Sequence, residues 1–464
     1  MKTPLLSGLA LLAFCVSASE AGPPTEVVRV PTFGQITIYA PPTDPSEVVL
    51  FISGDGGWNL GVIAMAEQLR DRGALVVGID IRTYIKAMET STTCAYPAGS
   101  LEELARSMQL RRKLPEYRPP ILIGYSSGAT LVYAALAAAP PETFAGGISL
   151  GFCPDLELRR PLCQQGGLKS TPRTKPPAGV DLERYSGLAP PWMVLQGDQD
   201  QVCDPEGTRT FVTGIPAARL FWLPNVGHGF GVPRNWEAQY IEAFKAVAAA
   251  RAAKEPLSAK APEIRDLSLI EVPASNQAGG DTMAIILTGD GGWAELDRSV
   301  AAGLAARGVP AVGWSSLRYY WNPRTPEQAS ADLDRIIQHY TAAWSRNRVI
   351  LVGYSFGADV LPFLVNRLAG PTRARVASVA LLGLSENASF AFHVSDWLGG
   401  DRGEYRTAPE VTRMSVTASC VRGADEDDSG CLRLDSRKVT QHQVGRGHHY
   451  SGEYERLVDV ILGR

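Results

Sequence analysis

Two serine-centred pentapeptides of one pattern constrain this chain more than any other feature. Gly353-Tyr354-Ser355-Phe356-Gly357 and Gly124-Tyr125-Ser126-Ser127-Gly128 both read G-x-S-x-G. Each follows an apolar, β-branched run (349–352 and 121–123) and precedes a helix-compatible one. A buried strand that turns sharply into a helix leaves the serine exposed at the apex, and glycines flank it because side chains there would crowd the turn. A second motif repeats in step. Ser53-Gly54-Asp55-Gly56-Gly57-Trp58 and Thr288-Gly289-Asp290-Gly291-Gly292-Trp293 each close an apolar run. Gly54 and Gly289 are 235 residues apart and the two serines 229, so two homologous halves run in register. A repeat of this length is a duplicated domain and not a solenoid unit.

Within each half, apolar strand-like runs alternate with helical segments. In the first half, 75–81 reads as a strand and 101–114 as a helix. The elbow and an alanine-rich helix stopped by Pro140-Pro141 come next, then strands at 147–150 and 192–195. The intervening stretch 153–189 is rich in Pro and Gly and reads as a lid-like insertion or irregular loop. In the second half, 309–313, 329–344, the elbow, 376–382 and 414–419 repeat the rhythm. Pro362, seven residues past Ser355, is expected to kink or delay the second elbow helix. The fold class is therefore α/β: tandem α/β-hydrolase-like domains, each a mostly parallel sheet with helices on both faces. The expected division is a signal peptide at 1–21, a first domain at 22–252, a linker at 253–265 and a second domain at 266–464.

The N-terminus carries Lys2, an apolar run at 5–16 and then small residues, with cleavage expected after Ser19 or Ala21. The run is too short to span a bilayer, so the chain is read as exported to the periplasm. Removing Cys15 leaves six of the seven cysteines, an even number that suggests three disulfides in an oxidising compartment. If the halves fold separately, Cys420 and Cys431 have only each other, and Cys94, Cys153, Cys163 and Cys203 pair among themselves. A net charge of −3 gives no basic excess for binding nucleic acid. No cofactor or metal is called for.

A serine hydroxyl needs a base, and the base needs an orienting acid. In α/β-hydrolase order these follow as Ser, acid, His. The first half offers Ser126, Asp200 (in Gly197-Asp198-Gln199-Asp200) and His228 (in Gly227-His228-Gly229-Phe230). The second offers Ser355, the acidic run 425–428 and Gly447-His448-His449-Tyr450, where alignment of the two halves selects His448. The second acid is ambiguous: counting forward from glycine matches Asp200 to Glu426, and counting back from the next cysteine matches it to Asp428. Asp428 is preferred, with Glu426 second. Oxyanion donors are expected from the amide after each nucleophile, Phe356 or Ser127, and from the glycine turns, Asp290-Gly291 or Asp55-Gly56.

Longer stretches carry a family likeness. Leu317-Arg318-Tyr319-Tyr320-Trp321, GYSFGADVLPF (353–363), Leu382-Gly383-Leu384-Ser385, Asp396-Trp397-Leu398-Gly399 and GHHYSGEY (447–454) resemble the VirJ family of bacterial virulence-associated proteins. GYSSGATLVYAAL (124–136) and LGFCPDLEL (150–158) resemble the first domain of its two-domain, AcvB-type members. The resemblance implies a periplasmic serine hydrolase that cleaves the aminoacyl ester of aminoacyl-phosphatidylglycerol, chiefly the lysyl form, at the membrane surface. It places the catalytic serine on Ser355, the histidine on His448 and the acid on Asp428. Spare carboxylates, Glu426 and Asp427 among them, are expected to hold the cationic amino acid next to His449. The alternatives are a general periplasmic carboxylesterase or lipase, and an adaptor on a hydrolase scaffold in contact with periplasmic secretion machinery. One departure separates the halves: Gly78-Ile79-Asp80 faces Gly313-Trp314-Ser315, so the two pockets need not take the same ligand.

Overall fold

The structure, a computed structural model, describes residues 25–90, 94–140, 142–173, 176–253, 262–392 and 403–464. The proposed signal peptide with Cys15, the middle of the linker and the Asp396-Trp397 motif lie outside the described residues.

Two sheets form, one per half. In the first, β1 (Thr25–Val30) and β2 (Gly34–Tyr39) make an antiparallel hairpin, followed by β3 (Glu47–Ile52), β4 (Ala74–Ile79), β5 (Ile121–Tyr125) and β6 (Gly146–Leu150). A small three-stranded insertion then contributes β7 (Asp155–Leu156), β8 (Ser170–Pro172) and β9 (Val180–Leu182), before β10 (Trp192–Gly197) and β11 (Ala218–Leu223) complete the main sheet. The second half supplies β12 (Leu269–Val272), β13 (Thr282–Leu287), β14 (Ala311–Trp314), β15 (Arg348–Tyr354) and β16 (Val376–Leu382). A short pair, β17 (Asn387–Ala388) and β18 (Tyr405–Arg406), precedes β19 (Ala418–Arg422) and β20 (Val439–Gln443).

The sheet orders are β1-β2-β4-β3-β5-β6-β10-β11 and β12-β14-β13-β15-β16-β19-β20. From β4 and β14 onward the two orders are equivalent and all parallel; beyond β4 lies the antiparallel β1–β2 hairpin, and beyond β14 the single antiparallel strand β12. The order reverses direction at β3 and β13, which opens a crevice at the strand C-termini where open α/β sheets hold ligands. Strands β3, β4 and β5 are almost wholly buried because helices cover both faces, and so they read as continuous apolar runs.

Several boundaries differ from the sequence expectation. The 101–114 helix starts earlier, at Pro97, which supplies the first helical position. The 414–419 strand instead occupies Ala418–Arg422, with Cys420 at its centre. Pro362 does not delay the second elbow helix, which begins at Phe356 and runs to Arg367 with the proline inside it. The 153–189 insertion is ordered by β7–β9 and by two bridges, Cys94–Cys163 and Cys153–Cys203. Cys420–Cys431 is the third disulfide. Ile264, at the far end of the expected linker, and Leu267, just beyond it, are buried in the second core. Among the described residues no helix is long and apolar enough to cross a membrane.

The halves touch through the helix Pro97–Arg111 and the turn after it. Tyr117 is buried within the apolar cluster of the second half and packs on Trp321 with ring centroids 5.4 Å apart. Trp321 Nε1 donates to Leu114 O at 2.8 Å, and Asn322 Nδ2 donates to Pro115 O at 3.3 Å. Trp321 is thus an interdomain anchor.

Candidate active sites

Both elbows form as the glycines require. Ser126 and Ser355 sit at φ 56° and 51°, a left-handed conformation rare for a residue with a side chain. A Cβ on Gly124 would lie 2.1 Å from Gly128 O, and one on Gly357 would lie 2.3 Å from Leu287 O, so neither turn tolerates a larger residue. The strained serines are tied down from the neighbouring strands: Ser126 N donates to Leu150 O at 2.9 Å and Ser355 N to Leu382 O at 2.8 Å.

In the first half the predicted triad is closed. His228 Nε2 lies 3.0 Å from Ser126 Oγ, and Nδ1 lies 2.9 Å from Asp200 Oδ2. The Asp200 side chain is fully buried and that of His228 is 15% exposed. Asp200 Oδ1 accepts from the amides of Val202 and Cys203, both at 2.9 Å, and Gln196 Nε2 donates to Oδ2 at 3.1 Å. Burial pushes the Asp200 carboxyl up, but the hydrogen bonds from His228 and the two amides outweigh it and hold the group below its ordinary range. Asp200, Cys203 and His228 have potential ligand atoms within 4.8 Å of one another. The Cys203 sulfur is bound to Cys153, so this grouping reads as a triad braced by a disulfide.

In the second half the acid is corrected. His448 Nδ1 meets Glu426 Oε1 at 2.6 Å, so Glu426 takes the place of Asp200 and the preference for Asp428 is reversed. The forward count from the glycine was the right register because the backbone leaves β10 and β19 in the same way. Gly423 N also donates to Glu426 Oε2 at 2.6 Å. Glu426 is therefore not a spare substrate carboxylate. Asp425 is engaged by the Gly447 amide and by Arg446, while Asp427 and Asp428 are exposed on the same turn.

The His448 side chain is 42% exposed, and it is not hydrogen-bonded to Ser355 Oγ in this structure. Catalytic contacts of this kind commonly tighten only when substrate binds. Tyr354 hangs the histidine loop from the elbow: its hydroxyl donates to His448 O at 3.3 Å and lies 3.2 Å from His449 Nδ1. Tyr125 does the same in the first half, donating to His228 O at 3.0 Å.

The glycine turns lie where an oxyanion loop belongs. Gly57 N donates to Gly54 O at 2.8 Å and Gly292 N to Gly289 O at 3.1 Å. The loop passes closest to the nucleophile at Gly54 and Gly289, where an added Cβ would lie 2.9 Å from Ser126 Cβ and 3.4 Å from Ser355 Cβ. The amides of Ser127 and Phe356 begin the elbow helices, as the predicted donor role requires.

The electrostatics of the two sites differ. Removal from water pushes the His448 imidazole down, but Glu426, Asp290 and Asp359 together raise it above its ordinary value. Glu295, Asp290 and Glu426 also act on His449, where burial wins and the pKa falls. Asp359 escaped the sequence reading. It is buried one helical turn after Ser355, where the first half has Thr130, and accepts from Ser385 N at 2.7 Å. Burial lifts its carboxyl to about 8. The aligned repeat would have exposed it as an acid facing a threonine. Gly151 and Gly383 were missed too: at φ 62° and 67° they leave room for the histidine, since a Cβ would lie 3.2 Å from His228 Cε1 and 2.5 Å from His448 Cε1.

Comparison with known proteins adds the following. The family described as Bacterial virulence protein (VirJ) matches residues 46–145 and 281–464. No curated protein matches the sequence. Among solved structures, Est1E from Butyrivibrio proteoclasticus is 13% identical, with a TM-score of 0.32 over 49% of this chain and 99% of its own. XC6422 from Xanthomonas campestris, described as an a/b serine hydrolase without lid, is 20% identical at TM-score 0.31, covering 50% of this chain and 94% of its own. A Thermogutta terrifontis esterase is 15% identical at TM-score 0.34, covering 51% and 97%.

Proposed function

The chain belongs to the VirJ family, and from that premise we propose that it is a serine carboxylester hydrolase that removes the aminoacyl group from aminoacyl-phosphatidylglycerol, chiefly the lysyl form, at Ser355. The observation that carries this reading is the Glu426–His448 pair beside the Ser355 elbow, in a site that also holds Asp290 and Glu295. An aminoacyl ester places an ammonium next to the scissile carbonyl. Carboxylates around the nucleophile favour that cation over a neutral acyl group, by Coulomb attraction only partly screened at a half-open site.

His448 takes the Ser355 proton as the hydroxyl attacks the carbonyl, and Glu426 stabilises the imidazolium that forms. The Phe356 amide and the Gly289–Gly292 turn face the developing oxyanion. Phosphatidylglycerol departs with the proton from His448, leaving an aminoacyl-serine. Water, activated by the same imidazole, then releases the amino acid and restores Ser355. Three disulfides suit an oxidising compartment such as the periplasm, where this lipid would be met at the membrane surface.

A second reading concerns the other half. The closed Ser126-His228-Asp200 geometry favours an additional esterase centre for uncharged acyl groups, because its carboxylates are already committed: Asp200 to His228, and Asp55 to Ser127 Oγ at 2.6 Å. Lipid analysis of membranes incubated with wild type, Ser355→Ala and Ser126→Ala separates the two. Loss of aminoacyl-lipid cleavage with Ser355→Ala alone is expected. Normal cleavage by Ser355→Ala together with loss in Ser126→Ala would assign the activity to the first half.

A further inference from the structure

The two oxyanion loops are anchored by different means. In the first half Ser127, the residue after the nucleophile, donates its hydroxyl to Asp55 Oδ2 at 2.6 Å, so the loop is pinned to its own elbow. In the second half that position is Phe356, whose ring packs between Tyr320 and Phe392 with centroids 5.0 and 4.6 Å away. Asp290, the counterpart of Asp55, therefore has no hydroxyl to hold it. It is met instead by a side chain from the other domain. Arg106, on the Pro97–Arg111 helix of the first half, brings Nη1 to 3.6 Å from Asp290 Oδ2. A Cβ on the next residue, Gly291, would lie 3.7 Å from Arg106 Nη2.

Arg106 is built into the interface. Its side chain is 7% exposed, and Glu102, one helical turn back, pairs with its other face. Tyr117 lies beside it and packs on Trp321 across the domain boundary, and Trp321 is fixed by its hydrogen bond to Leu114 O. Asp290 is 45% exposed, so its carboxylate reaches from the buried interface to the open mouth of the Ser355 site. A buried guanidinium needs carboxylate partners on more than one side, and a loop carboxylate that supplies one is held in return.

We propose that the first domain completes the second active site: Arg106 is a positioning residue that holds Asp290, and with it the oxyanion loop, in place of the serine that the second elbow lacks. This inference rests on the reading that Ser355 is a nucleophile. It implies that the second half depends on its neighbour for full activity, and that the first half has no such dependence.

The test uses the full chain and a neutral p-nitrophenyl ester, which leaves aside any attraction between Asp290 and a cationic substrate. In a Ser126→Ala background, which silences the first site, Arg106→Gln and Asp290→Asn are each expected to lower kcat about tenfold with KM little changed, because a misplaced oxyanion loop weakens transition-state binding. Arg106→Lys recovers most of the rate, and the double variant Arg106→Gln/Asp290→Asn is no worse than either single one, since both remove the same contact. In a Ser355→Ala background Arg106→Gln leaves the first-site rate unchanged. An unaltered kcat in both single variants, multiplying effects in the double, or equal losses at both sites would overturn the inference. A Ser126→Ala parent inactive both on this ester and on lysyl-phosphatidylglycerol would overturn the Ser355 reading itself, an outcome distinct from an active parent indifferent to Arg106.

Discussion

The two halves share sheet order, elbow, glycine turn and histidine loop, yet their triads are finished differently. The first is closed and shielded, with a fully buried Asp200 and both contacts of His228 made. The second is open, with a glutamate in place of the aspartate, a histidine 42% exposed and acids at several points around it. A glutamate reaches one methylene further than an aspartate, and from the equivalent turn (Asp200 N to Gly197 O, Glu426 N to Gly423 O) it meets a more exposed imidazole. Duplication has thus preserved the backbone that strains the serine, while the groups that set charge and access have diverged. One fold presents a neutral, self-contained centre and an acidic one that leans on its neighbour.

The sharpest way to break this comparison is through the acids. Glu426→Gln is expected to lower kcat at the second site by roughly 10³–10⁴-fold, as loss of the orienting carboxylate does in serine hydrolases, while Asp428→Asn leaves it within about twofold of wild type. The pH profile should follow. A general base works only when deprotonated, and the raised pKa of His448 places the acid limb of second-site activity above the ordinary histidine value; activity is lost as pH falls through it. Residual activity of Glu426→Gln should have that limb at lower pH. Equal losses in Glu426→Gln and Asp428→Asn would return the choice of acid to open ground.

The disulfides offer the next contrast, read by chemical denaturation of each half. By loop entropy, removing Cys153–Cys203 should cost about 4 kcal/mol and removing Cys420–Cys431 about 3 kcal/mol. The former should also depress first-site kcat, because the Cys203 amide holds Asp200. Replacing Gly383 by Ala should lower second-site kcat on the order of 100-fold, the scale of a catalytic group misplaced by about an ångström. Gly151→Ala should cost the first site less, since its histidine stands farther off. The smallest effect concerns charge selectivity. Glu295→Gln is expected to raise KM for a lysyl ester about threefold, with no change for a neutral ester, because the group is exposed and its field is screened. An equal effect on both esters would remove the cation-binding role of that flank.

Much of this was legible in the linear chain because the relevant constraints are local. A strained serine demands glycine at fixed offsets, and a buried parallel strand demands a continuous apolar run, so the elbows, the β3 and β13 turns and the alternating architecture could be read residue by residue. The Cys420–Cys431 pairing was legible as well, once two halves were recognised. The acid was not. Glu426 and Asp428 are two residues apart in a turn whose direction depends on how Gly423 packs against Gly447, where an added Cβ would lie 2.6 Å from the carbonyl oxygen. Composition carries no trace of that contact.

What the order of residues determined alone was the pair of nucleophile turns and the doubled α/β plan, since each follows from steric demands between near neighbours, together with His228 and His448, which the alignment of the two halves picks out. Only the folded chain decided that Glu426 and not Asp428 supports His448, that Asp359 is buried behind Ser355, and that Arg106 crosses from one domain to meet Asp290. Those outcomes depend on side-chain direction across gaps of tens to nearly two hundred residues, where small rotations of packed elements choose which polar atoms come within reach.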